Sequence, residues 1–532
     1  MTGNGIRFRH PIAFWIGCLA VIAGVLAHMP MFVMAAPMHY HLAGMPMDNT
    51  MLVGMLMIPC GVVLAGYGLM PRIDQMQRAL SGSDHVHFHV ADGLALNREH
   101  WKLIVVLIVA LAVDVMKPAT LGFVIPGMSS EYDITKSTAG YLALSALTGT
   151  TVGSIVWGRL ADVFGRRSAI LLSAILFMGT SICGAMPTFA WNLVMCFMMG
   201  AAAGGMLPIA FTLMAETIPA AHRGWLLVTL GGIGTSAGYL LASGAATVFE
   251  PVFSWRALWL LNLPTGAVII FLNRFIPESP RFLANAGLNT EARAVLERFS
   301  AADAGRSDIA AAADPIVEVH HPAGDMRELL RGRHARITWG LLLCGVAWGL
   351  VNFGFLLWLP ANLSLIGVDA KATNSLLAQS AVYALPAIGL VVWIYQRWSS
   401  IRSLVLLIGL TVVSLLAFFA IGVTGLHSTA ATTIATVALL SSVSGVIATL
   451  IPYAAEIYPV HLRGTGSGLI AASSKAGGIL GAILGVFGLF GNFMLSAIVI
   501  AVPMAFACLI LARGGVETRG YRLEEIQARM SK

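Results

Sequence analysis

Fourteen runs of about twenty mostly apolar residues, separated by short polar joints, leave this chain few ways to fold. The first lies near residues 11–34 and the last near 491–512. In hydrocarbon every backbone N–H and C=O must find a partner, so only helices or a closed barrel can span it. The runs lack the period-two alternation of barrel strands, and helices remain. A chain that is 58% hydrophobic and 11% charged has too little polar surface to clothe a soluble globule, so lipid must cover the rest. The expected fold is an all-α, multi-pass membrane protein.

The sequence also repeats itself. Ala215, Glu216, Pro219, Arg223 and Gly224 stand at the same offsets as Ala455, Glu456, Pro459, Arg463 and Gly464, 240 positions further on. Each copy closes one apolar run and opens the next, which is the mark of a duplicated bundle. Residues 1–100 then read as a two-helix membrane appendage and 101–276 as one six-span half. Residues 277–336 read as a cytoplasmic linker with short helices, 337–512 as the other half, and 513–532 as a polar tail. In the linker, Glu291, Arg293, Glu297 and Arg298 alternate with Val295, Leu296 and Phe299 at the spacing of an amphipathic helix. Residues 301–313 contain few large side chains and read as a connector.

The formal charge of +7 is placed for topology, not for nucleic acid. Arg7 and Arg9 precede the first run, Arg72, Arg78, Arg98 and Lys102 separate the second from the third, and Arg159, Arg166 and Arg167 follow the fourth. Every second joint is basic, which puts both termini on the cytoplasmic side of an inner membrane. The first run is longer than a signal-peptide core and reads as a retained anchor. The six cysteines, Cys18, Cys60, Cys183, Cys196, Cys344 and Cys508, all fall in apolar runs, where a thiol behaves as a small hydrophobe. Neither a CxxC pair nor a GxxxxGK[ST] loop is present, so uphill transport would draw on an ion or solute gradient. No enzyme chemistry, resident cofactor or metal-ligand set is indicated.

Four features in sequence order resemble the major facilitator superfamily, in the branch of sugar porters, organic ion transporters and metabolite:proton symporters. Gly158, Arg159, Asp162, Gly165, Arg166 and Arg167 resemble its signature loop between the second and third core helices. The repeated Glu-x-x-Pro-x-x-x-Arg-Gly resembles its motif at the ends of core helices four and ten. Pro277, Glu278, Ser279, Pro280, Arg281, Phe282 and Leu283 resemble the element after core helix six, and Trp255 with Arg256 the pair at that helix's start. The resemblance covers residues 101 to about 530. It implies a twelve-helix bundle of two six-helix halves, here with two extra N-terminal helices, working as a monomer by alternating access. Two stretches depart from it. The first 100 residues lie outside the twelve-helix plan, and the second-half counterpart of the signature loop, Gln396 to Arg402, lacks its aspartate and glycines.

Within this frame the resemblance implies a charge latch at Asp162 and Arg166. Glu216 with Arg223, and Glu456 with Arg463, would complete it by forming ion pairs in one packing and losing them in another. The alternative is surface charge that only sets topology, with pairs worth about 0 to 1 kcal/mol each.

Asp114 and Lys117 are more telling. They stand three residues apart inside an apolar run and share one helical face. A charge near the bilayer centre costs about 2.5 to 3.5 kcal/mol on insertion scales, so it is kept where it meets a partner or water. Asp114 is the candidate proton site and Lys117 a candidate anion ligand; the bland alternative is a self-neutralising pair that packs the helix. Lys475, amid the small residues of 473–485, is a second candidate cation, since the resembled organic anion transporters carry one in that helix. Asn352 and Gln379 are weaker candidate substrate ligands, among the aromatic residues Trp348, Phe353 and Tyr383. Trp358 and Pro360 read as an interfacial belt.

The appendage is rich in methionine, including Met29, Met31, Met45 and Met47, with His39 and His41 nearby and His85, His87 and His89 further on. Thioethers and imidazoles suit Cu(I), but no ligand spacing is visible, and an accessory packing hairpin is the plainer reading. The expected function is secondary transport of a small organic anion by proton symport. A drug or copper-type metal exporter is the alternative, and a non-transporting sensor a third, against which the intact gate motifs weigh.

Overall fold

The computed structural model describes residues 10–69, 96–285, 288–299, 326–331, 334–365, 370–424, 428–458 and 460–518. Fourteen helices among them are long and apolar enough to cross a membrane. They are α1 (Pro11–Met34, broken near Ala27), α2 (Asn49–Leu69), α3 (Arg98–Glu131), α4 (Lys136–Phe164), α5 (Arg166–Ala185), α6 (Phe189–Thr217) and α7 (His222–Phe253). There follow α8 (Arg256–Phe275), α9 (Ala335–Leu363), α10 (Lys371–Arg397), α11 (Ser400–Thr424), α12 (Thr429–Ala454), α13 (Gly466–Val486) and α14 (Met494–Gly514). The protein is an all-α membrane protein. Side-chain caps start several of these helices: Ser428 and Asn492 accept from the N–H groups of Ala431 and Leu495, satisfying donors the first turn leaves open.

The helices gather into two compact units. One holds residues 1–117, 148–226 and 256–319, the other 118–147, 227–255 and 320–532. The division inside α3 falls between Lys117 and Pro118. A proline there has no N–H to give to the carbonyl four residues back, so the hydrogen bond to the backbone of Asp114 is missing where the chain passes from one unit to the next.

In the first unit, α1 and α2 form a hairpin whose glycines recur every seven residues, at 17 and 24 on one helix and at 54, 61 and 68 on the other. A Cβ added at Gly17 would lie 2.5 Å from the backbone nitrogen of Ala65, and one at Gly68 would collide with that of Phe14. The two backbones touch, and only glycine permits it. The hairpin rests on α5 through Val25 and Ile58 against Ile182 and Met186. Buried Arg256 closes the end of α5 by donating to the carbonyls of Gly184 and Met186, at 3.1 and 2.9 Å.

In the second unit α9 and α13 approach as closely: a Cβ at Gly477 would collide with the carbonyl of Val346. Residues Leu350–Leu356 form a π-helical turn within α9. Trp358, expected at an interface with lipid headgroups, is instead 1% exposed and stacked on Phe490 at 6.2 Å. Its ring fills the unit's interior because Phe490, in a short turn before α14, folds back over it.

Candidate functional site

The buried pair in α3 is the strongest chemical feature. Lys117 is fully buried and Asp114 6% exposed, and the ammonium lies 3.1 Å from Oδ1. Lys117 also points at the face of Phe177 from α5, 3.7 Å from the ring centroid. An ammonium held between a carboxylate and a π face is stabilised on both sides, about 2 kcal/mol of it from the ring when desolvated. Pro118 follows at once, so one backbone hydrogen bond of the helix is missing beside the pair.

At the junction of α4 and α5 the signature residues converge. Arg166 reaches Asp162 at 3.4 Å and Glu216 at 3.4 Å, donates to the carbonyl of Ala161 at 3.1 Å, and lies 5.4 Å over the ring of Phe282. Asp162 is largely exposed, so its ion pair with Arg166 is the weaker of the two. In this packing Glu216 pairs with Arg166, and Arg223 donates to the carbonyl of Ile218 at 3.3 Å. The reason is local. Arg223 lies in the first turn of α7, and the carbonyls that end α6 are within its reach. Arg159 is exposed, and Gly158 has open space around it. Arg167 donates to Asn273 at 2.8 Å.

Glu278 is the residue on which this junction turns. Its carboxylate accepts from the N–H of Arg166 at 2.7 Å, of Ser279 at 3.0 Å and of Arg167 at 3.3 Å, capping the start of α5. Gly165 has φ +98°, and a Cβ there would collide with Oε2 of Glu278. The glycine therefore serves both the backbone turn and the approach of the carboxylate. Burial pushes Glu278 up to about 7, against the N–H groups and the Arg166 charge that favour its ionised form.

The second unit carries a counterpart that the sequence hides. Glu517 accepts from the N–H of Ser400 at 3.0 Å and its hydroxyl at 2.6 Å, and from the hydroxyl of Ser399, capping the start of α11. Glu456 accepts from Tyr395 at 3.1 Å and from Thr518 at 2.7 Å. Serine hydroxyls occupy the place of the missing signature residues, which is why the motif fades while the helix cap persists. The offset between the halves was the available signal: Glu517 with Thr518 stands 239 positions after Glu278 with Ser279. The side chain of Arg463 lies outside the described residues, as do Arg7, Arg9, Arg72, Arg78, His85, His87, His89 and residues 301–313.

The remaining candidates lie on α9, α10 and α13 of the second unit. Lys475 is half-buried in α13, in the second unit. Asn352 is half-buried within the π-helical turn of α9. Gln379 is exposed and donates to Ser375 of its own helix at 3.3 Å, while Tyr383 is exposed as well. Trp348 is anchored, its indole donating to the carbonyl of Val443 at 2.8 Å.

Fourteen apolar helices enclose an ion pair buried beside a proline and an Arg–Glu pair at a helix junction, features that a membrane transporter would carry. The sequence matches the profile of the Major Facilitator Superfamily over residues 103–482, and the chain belongs to that family. Among curated relatives, the niacin transporter NiaP of Acinetobacter baylyi is 26% identical, covering 82% of this chain and 98% of its own. The 4-hydroxybenzoate transporter PcaK of the same organism is 27% identical over 78% of this chain and 91% of its own. Among solved structures, the xylose transporter XylE of E. coli in a partially occluded inward-open conformation superposes with a TM-score of 0.65 at 15% identity, covering 80% of this chain and all of that one. The relatives are transporters, and this chain is one as well rather than an enzyme.

Proposed function

We propose that the protein carries a small organic acid, a carboxylate on a compact ring, together with a proton, by alternating access in the inner membrane. The observation that carries this reading is the buried Asp114–Lys117 pair beside Pro118. The names of the relatives, niacin and 4-hydroxybenzoate transporters, supply the ring-bearing acid.

In this scheme a proton taken up on Asp114 neutralises the carboxylate and releases the Lys117 ammonium to a substrate carboxylate. Lys475 and Asn352 are further proposed ligands, and Gln379 is the weakest of them. Loss of the substrate returns Lys117 to Asp114 and expels the proton. The latch of Arg166 with Asp162 and Glu216, and the cluster at Glu456, hold the cytoplasmic ends of their helices in one of two packings. The chain works as a monomer with both termini cytoplasmic, and the proton gradient is its energy source.

One proton moving with one monoanion transfers no net charge. Uptake into proteoliposomes is therefore driven by an inward pH gradient and is unmoved by a potassium-diffusion potential at constant pH. Uptake driven by the potential alone sinks this stoichiometry, and uptake indifferent to both sinks symport.

A further inference from the structure

The hairpin that precedes the twelve core helices has a buried histidine the transport scheme does not use. His28, at the break in α1, is fully buried. Its Nδ1 lies 2.8 Å from the carbonyl oxygen of Gly24, and a carbonyl only accepts, so Nδ1 carries the ring proton. The lone pair is thereby fixed on Nε2, which is buried with no hydrogen-bond partner among the described residues. An imidazole held by a backbone carbonyl through one nitrogen, with the other bare, has the arrangement of a metal-ligating histidine.

Near it lie methionines of the hairpin, and Asp48, whose Oδ1 accepts from the N–H of Met51 at 2.8 Å. Met31 stands one helical turn after His28 and is 4% exposed. Met51 on α2 is 1% exposed and packs in the same cluster as Met31, with Met45 and Met47 against it. Met51 also stands one turn before Gly54, where an added Cβ would lie 3.1 Å from Cε1 of His28. Met31 and Met51 therefore pack together about one turn from His28, at the loop end of the hairpin. Among the described residues no three His, Cys, Asp or Glu side chains come together as a metal site, so hard and borderline cations lack a ligand set there. Two thioethers and one neutral imidazole suit a soft monovalent ion.

We propose that the hairpin binds one Cu(I) ion through Nε2 of His28 and the thioethers of Met31 and Met51. Binding needs no proton release, because Nε2 bears none, and no change of oxidation state. The same methionine cluster includes Ala185 at the end of α5, and the N–H of Gly44 in the hairpin loop donates to the carbonyl of Pro187 at 3.0 Å. The bound ion would thus fasten the hairpin to the end of α5, apart from the Asp114–Lys117 pair.

The test uses the full-length protein in detergent, titrated with Cu(I) under anaerobic reducing conditions against bicinchoninate. The wild type is expected to take one ion per chain from the probe, with sulfur and imidazole scatterers at the copper X-ray absorption edge. Met31→Leu and Met51→Leu, which keep volume and apolarity, are each expected to weaken binding about tenfold or more. The proposal is overturned if the probe keeps all the copper, if both leucine variants bind as the wild type does, or if the bound ion has nitrogen ligands only.

Discussion

Replacing Asp114 by asparagine removes one charge from a buried pair and leaves the shape nearly unchanged. The two groups are 3.1 Å apart, and at an effective dielectric of about 20 their attraction is about 5 kcal/mol. The asparagine amide keeps an oxygen that accepts from Lys117, and the Phe177 face retains its share, so the net loss is about 3 kcal/mol, at the lower end of the range for breaking a buried pair. The unfolding midpoint of the purified protein, followed by tryptophan fluorescence, should fall by several degrees. Removing the stranded charge as well, in Asp114→Asn with Lys117→Met, should restore most of that fall, because no uncompensated ammonium remains in the interior. A single variant as stable as the wild type, or a double variant less stable than the single one, would refute the reasoning.

Gly165→Ala drives a Cβ into Glu278 on a backbone of φ +98°; it should cost about 1 to 3 kcal/mol, and less in a Glu278→Ala background, read from thermal midpoints of the two single variants and the double. Glu278 is raised to about 7 from 4.5, so its folded value exceeds its unfolded one. The stability it contributes is full below about pH 4.5 and is lost as pH rises through about 7, a change of about 3 kcal/mol. Between pH 5 and pH 8 the wild-type midpoint should therefore drop more than that of Glu278→Gln, and equal drops would contradict the assignment. Glu517→Ala leaves the start of α11 without its acceptor and should cost about 1 kcal/mol, measured as a shift in unfolding midpoint, while Glu517→Gln should recover part of it.

Much of the fold was legible because hydrocarbon imposes length and apolarity on every crossing segment, and fourteen such segments stand out by those criteria alone. The Asp114–Lys117 pair was legible for the same reason: charges in an apolar run three residues apart can only share a face. Pairing across elements was not. Glu216 looked to Arg223 because the two recur together in the repeat, yet Arg166, fifty residues earlier, is the group that folding brings to it. Trp358 looked like a lipid-facing belt residue because it stands near the end of an apolar run, and only the turn carrying Phe490 reveals that this end is enclosed. Glu517 leaves no charge pattern in the sequence because its partners are serines, whose hydroxyls and N–H group donate to it at the start of α11. His28 opens the methionine-rich stretch of the sequence, but its unpartnered ring nitrogen exists only once the surroundings are folded.

Coupling of solute movement to protons through the buried carboxylate is tested most directly by uptake of labelled nicotinate and 4-hydroxybenzoate into proteoliposomes. Uptake is compared with and without an inward proton gradient, for the wild type and for the Asp114→Asn, Lys117→Met double variant. The expected result is gradient-stimulated uptake of at least one acid by the wild type and none by the double variant, although that variant is folded and stable. Gradient-stimulated uptake by the double variant at the wild-type rate would contradict the coupling and leave Asp114 and Lys117 a structural pair.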